Sequence, residues 1–109
     1  KNTAMKTSIN LIQAPNQTLS ANITDINGEI HIVDINLRTL YDGQMIADIS
    51  IDGTAVFYGR RCIDRMPLML GGTIPGNFYF VDLFGNSNPV YTDLGNEYLL
   101  IYDDEYQLR

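Results

Sequence analysis

Two Asp-Gly pairs, Asp42-Gly43 and Asp52-Gly53, punctuate the stretch EIHIVDINLRTLYDGQMIADISIDGTAVFYGRRC between Glu29 and Cys62. The runs they separate are rich in Ile, Val, Leu, Tyr and Phe. Asp-Gly between apolar runs is a strong hairpin signal, because glycine accepts a positive φ without a Cβ clash. Three successive antiparallel strands are therefore predicted, and this meander is the centre on which the rest of the chain is built.

Strand signals continue on both sides. Thr7 to Gln13 alternates, with Ile9 and Leu11 on one face. Ala14-Pro15-Asn16-Gln17 breaks the run, since proline has no N–H for a ladder. Leu19, Ala21 and Ile23 then mark a second strand, closed by the turn Asp25-Ile26-Asn27-Gly28. From Glu29 to Tyr41 the apolar positions change phase: Ile30 and Ile32 share one face, Val33, Ile35 and Leu37 the other. A flat strand of that length would run about 43 Å at roughly 3.3 Å per residue, so a bulge or bend near Ile32-Val33 is expected. The run Ala55 to Tyr58 is apolar on both faces, which predicts a strand covered on both sides or one with a face kept for a partner.

Asn77 to Leu83 (NFYFVDL) reads as a strand, Phe84 to Pro89 as a polar turn and Val90-Tyr91-Thr92 as a short edge strand. The continuous apolar run Tyr98 to Tyr102 (YLLIY) reads as a central strand. The sum is an all-β fold, a small antiparallel barrel or sandwich of about seven to eight short strands. A chain of 109 residues makes one domain, placed at residues 5–109. Met5-Lys6-Thr7 reads as a natural start, which would make residues 1–4 a remnant or leader.

Asp64 to Gly76 (DRMPLMLGGTIPG) has two prolines, three glycines and no sustained period, so it reads as a loop. Its apolar content is high for a surface connection. Either Met66, Leu68, Met69, Leu70 and Ile74 are buried under the β-domain, or they face another chain. Together with Phe57, Tyr58, Arg60 and Arg61 they form the predicted protein-interface set, since aromatic residues, Met and Arg are enriched at such surfaces.

The chain offers little chemistry. Its formal net charge is −6, which opposes approach to phosphate backbones and anionic lipid and disfavours nucleic acid as a partner. No apolar run nears the roughly 20 residues that span a bilayer, and the start KNTAMKTS lacks the apolar stretch of a signal peptide. Cys62 is the one cysteine, so no intramolecular disulfide forms. His31, the one histidine, lies inside a strand and reads as a packed or exposed strand residue rather than a catalytic base. One Cys and one His cannot close a zinc site. Asp25-Ile26-Asn27-Gly28 lacks the remaining oxygen ligands of a calcium loop and reads as a turn. Gly71-Gly72-Thr73-Ile74-Pro75-Gly76 lacks the Lys-Ser/Thr of a phosphate cradle. Asp103-Asp104-Glu105 reads as a solvated acidic end. No catalytic residue, metal or cofactor is assigned, and the chain is read as no enzyme.

Read in order, INLIQAPNQTLS, the strand INLRT, the meander MIADISIDGTAVFYGRRC, GNFYFVDL, and the ending PVYTDLG then YLLIY resemble the small baseplate plug family of contractile-tailed phages, including cyanophages. The resemblance covers nearly the whole chain from Met5 on and is weakest over residues 64–75. It implies a structural β-domain in the tail baseplate of a phage or prophage, near the hub and tube channel. Such a protein is made in the bacterial host cytoplasm and assembles around the tail axis with other baseplate and tail proteins and with copies of itself, a trimer being one arrangement. The alternative is a small-ligand or carbohydrate-binding β-barrel with Tyr41, Tyr58 and Tyr79 lining a cavity.

Overall fold

A computed structural model describes residues 6–70 and 74–106. The predicted start at Met5 and the glycines of the GGT segment lie outside the described residues. Among the described residues, seven strands form two antiparallel sheets. β2 (Gln17–Thr24), β3 (Ile30–Thr39), β4 (Met45–Ile51) and β5 (Thr54–Arg61) make a four-stranded meander in sequence order. β1 (Lys6–Ile9), β7 (Tyr98–Asp103) and β6 (Asn77–Asp82) make a three-stranded sheet with β7 in the middle. The sheets do not close on each other, so the barrel alternative gives way to a sandwich.

The two Asp-Gly turns differ. Asp52 and Gly53 have φ of 52° and 83°, positive at both central positions as a two-residue type I′ hairpin requires. Around Asp42-Gly43 the ladder closes through Leu40 N–H to Gln44 C=O (2.7 Å) and Gly43 N–H to Leu40 C=O (2.8 Å), a longer loop in which only Gly43 is left-handed.

Inward side chains of both sheets fill the centre. Val33, Ile35 and Leu37 from β3 and Met45, Ala47, Ile49 and Ile51 from β4 meet Phe78 and Phe80 of β6 and Leu100 and Tyr102 of β7, all buried. The rings of Phe78 and Tyr102 lie 5.0 Å apart at a tilt of 44°, the offset geometry that aromatic quadrupoles favour. Tyr41 and Tyr58 point to solvent and Tyr79 is half-buried on the outer face. The proposed tyrosine-lined cavity is therefore absent from the described residues, its place taken by packed side chains.

Three local expectations are corrected. No bulge falls at Ile32-Val33: β2 and β3 pair without interruption from Gln17↔Leu37 to Thr24↔Ile30. The apparent phase change arises because His31 occupies an inward position beside Val33, Ile35 and Leu37, leaving Ile30 and Ile32 outside. The irregularity lies instead between β4 and β5, at Ala47/Ile49 and Ile49/Ser50. Val90-Tyr91-Thr92 is no edge strand; Tyr91–Asp93 is a single 3₁₀ turn. β5 is not covered on both sides but is an edge strand, with Ala55 and Tyr58 exposed.

The segment that follows β5 runs along the free side of β6. Arg65 N–H donates to Phe80 C=O (2.7 Å) and Leu68 N–H to Phe78 C=O (2.8 Å). Asn77, itself buried, exchanges two hydrogen bonds of 2.8 Å with the Met69 backbone. These contacts draw Leu68, Met69 and Ile74 into the core and leave Met66 and Leu70 outside.

Candidate functional site

A charged cluster, buried at Asp25 and His31 and exposed at Asp52, sits at the end of the meander where two turns meet. Asp25, in the β2–β3 turn, accepts the N–H groups of Asn27 (2.9 Å) and Glu29 (3.0 Å) on one carboxylate oxygen. Its other oxygen lies 2.8 Å from His31 Nε2. On the far side of the ring, Nδ1 lies 2.7 Å from Asp52 Oδ2, while Asp52 Oδ1 accepts the Ile32 N–H at 3.0 Å. A neutral imidazole has one N–H and would set a lone pair against one of the two carboxylates. The arrangement thus selects the imidazolium. The hydrogen bond to Asp52, then that to Asp25, raises the His31 pKa, and His31 in turn lowers both carboxylates.

That protonation state decides what the group can do. Asp25, Glu29 and His31 bring one oxygen or nitrogen each within 4.8 Å of one another, a spacing a divalent cation accepts. Protonated, the ring has no free lone pair, so a metal ion at this place would have to displace the proton that His31 shares with Asp25. The trio works as a clasp between the β2–β3 turn and the β4–β5 hairpin. Cys62 is equally unsuited to chemistry: it lies in the core, and burial pushes its thiol up to about 12.

A second polar group lies on the outer face of the meander. Asp48 accepts from Arg38 Nη2 (2.8 Å), Asn36 Nδ2 (3.0 Å) and the Gly59 N–H (2.6 Å). Burial works to raise the Asp48 pKa, but these donors prevail and hold it below the usual range. The Arg38 guanidinium also sits 5.3 Å from the ring centre of Tyr58, a cation–π contact that holds an aromatic ring in solvent at 81% exposure. Near the other end of the molecule, Asp82 is buried yet held at about 2, because the Ser87 hydroxyl and the N–H groups of Ser87 and Phe84 outweigh its desolvation.

The predicted interface set is divided by the fold. Tyr58, Arg61, Met66 and Leu70 are exposed; Phe57 and Arg60 are half-buried, the guanidinium of Arg60 5.9 Å from the ring centre of Phe57. Leu68, Met69 and Ile74 are buried in the core. Reading the sequence missed other exposed apolar side chains, among them Tyr41, Phe84, Ile30 and Ile32. It missed the carboxylate partners of His31 as well. The signal for Ile30, Ile32 and the His31 partners was the break in alternation at Ile30-His31-Ile32: an inward histidine needs partners, and its two neighbours must face out.

Residues 6–105 match the family described as cyanophage baseplate Pam3 plug gp18. The chain belongs to this baseplate plug family. No curated protein matches it. As a member of the plug family, it has a structural role in the tail baseplate, a location in the virion tail, and assembly with other baseplate or tail proteins as its setting. That setting agrees with a molecule whose one histidine and one cysteine are both committed to holding the fold.

Proposed function

We propose that this plug protein fills its place in the baseplate as a rigid β-sandwich packed between hub and tube proteins around the tail axis. Its exposed aromatic and aliphatic side chains are covered there by those neighbours and by further copies of itself, and it carries no catalysis of its own. It is made in the bacterial host cytoplasm and reaches the virion by assembly. The observation that carries this reading is the contrast between a filled core and a surface on which Tyr41 is 106% exposed, Tyr58 81% and Phe84 74%. Aromatic side chains of this kind are the ones enriched at the buried centre of protein interfaces.

The test is reconstitution. The purified chain is mixed with the hub and tube proteins of its own phage, and mass is measured by light scattering after size exclusion. A stoichiometric complex, weakened by Tyr58→Glu at unchanged melting temperature, is the expected outcome. A chain that stays monomeric and binds none of those proteins overturns the reading.

A further inference from the structure

A sandwich that does not close has four strand edges, and in this molecule they are not treated alike. Proteins blunt edges with charge, proline, bulges, shortness or a covering segment, because an open edge is a template for another strand. β5 is bulged against β4, and its sequence carries Gly59, Arg60 and Arg61. β6 is lined by the segment from Arg65 to Met69. β1 has four residues, one of them Lys6. Among the described residues β2 has none of these devices: QTLSANIT is eight residues long, uncharged, free of proline and glycine, and in unbroken register with β3.

The direction of its peptide groups follows from the ladder. Asp52 N–H donates to Ile32 C=O, so Ile32 turns its peptide groups toward β4 and the odd-numbered residues of β3 turn theirs toward β2. Their partners are the odd-numbered residues of β2, and Asp25 N–H to Glu29 C=O continues the same series. Thr18, Ser20 and Asn22 therefore aim N–H and C=O away from the sheet. Leu83 N–H to Glu97 C=O sets β7 in the same way, so that Ser8 of β1 also aims its peptide groups away from its partner. The two open edges border one groove of about 310 Å³, lined by residues 7–10 and 19–23. A groove of that volume, bordered by both edges, admits an extended segment of a few residues and no folded domain.

We propose that β2 is a strand-addition edge, on which an extended segment of a neighbouring baseplate chain pairs with Thr18, Ser20 and Asn22 in the seam beside β1. The inference rests on the baseplate reading for the source of that segment and adds where and how it is held: by main-chain hydrogen bonds, with side chains alternating between the core side and solvent.

Amide hydrogen exchange on the full chain, alone and mixed with the hub and tube proteins of its phage, tests this. The amides of Thr18, Ser20 and Asn22 are expected to exchange freely in the isolated chain and to slow by at least about tenfold in the complex. Asn22→Pro removes an outward N–H and takes none from the β2–β3 ladder, so it should fold with a near-unchanged melting temperature and weaken binding by about tenfold, the worth of one hydrogen bond. If that variant does not fold, the exchange data on the unaltered chain decide. A complex that forms while these amides still exchange freely overturns the strand-addition edge and leaves the baseplate reading standing. Protection that grows with concentration of the chain alone overturns the choice of occupant in favour of a second copy. No binding to any of those proteins removes both readings.

Discussion

His31 is bonded at both ring nitrogens, and its charge is therefore part of the fold. Because its pKa is raised, its contribution to stability is fully present below the ordinary imidazole value of about 6.5 and is lost as pH climbs through the raised value. Asp25 and Asp52 are shifted down, so theirs is present above the ordinary carboxylate value of about 3.9 and is lost as pH falls through the depressed values. Melting temperature against pH should show a plateau between those ordinary values with a decline on each side. His31→Gln should lower the plateau and flatten the alkaline decline; an unaltered alkaline limb in that variant would refute the clasp. Cys62 should not react with an aromatic disulfide reagent in the native protein and should react at once in denaturant, since a thiol held near 12 in the core presents almost no thiolate. No local spacing reveals these partners, as Asp25 and Asp52 lie in different turns that meet only through the register of β3 with both its neighbours.

At the scale of elements, the meander was readable because its turn chemistry is local: in both Asp-Gly pairs the glycine takes the left-handed backbone it accepts without a Cβ clash. The β3 phase departs from the expectation because counting apolar residues alone assigns a histidine to solvent, whereas the buried Asp25 and the exposed Asp52 satisfy it on an inward position. Tyr91 resembles a strand residue by type, yet the 3₁₀ turn there is bonded to itself through Asp93 N–H to Val90 C=O and Leu94 N–H to Tyr91 C=O. The entry to β6 depends on Gly76, with φ of +89° and no room for a Cβ between the Asp103–Asp104 backbone and the Tyr102 hydroxyl. Gly76→Ala should destabilise the protein by roughly 2–3 kcal/mol, combining left-handed strain with displacement of backbone. A urea titration with an unchanged midpoint would contradict that account. Gly43, with open space around it and φ of +91°, should lose less on the same substitution, because strain acts there without a clash.

Over the whole molecule, the core and the surface have different dependencies. Leu37 is fully buried between the sheets, and Leu37→Ala should remove about 3–4 kcal/mol, a fall in melting temperature of tens of degrees at most for a chain this size. Calorimetry on the isolated chain checks it, since no neighbour is needed for that packing. What the sequence could not resolve was which apolar residues of the segment after β5 serve the interior. Leu68 and Met69 are adjacent to Leu70, of the same chemistry, and only the hydrogen bonds to Phe78 and Asn77 decide which of them turn inward. The sheets also stop short of joining. A cylinder made from the same seven strands would have no rim along its length and could be gripped only by its loops; a body left ajar keeps a longitudinal margin, so a neighbour can bind it firmly through peptide groups that substitution of side chains hardly alters.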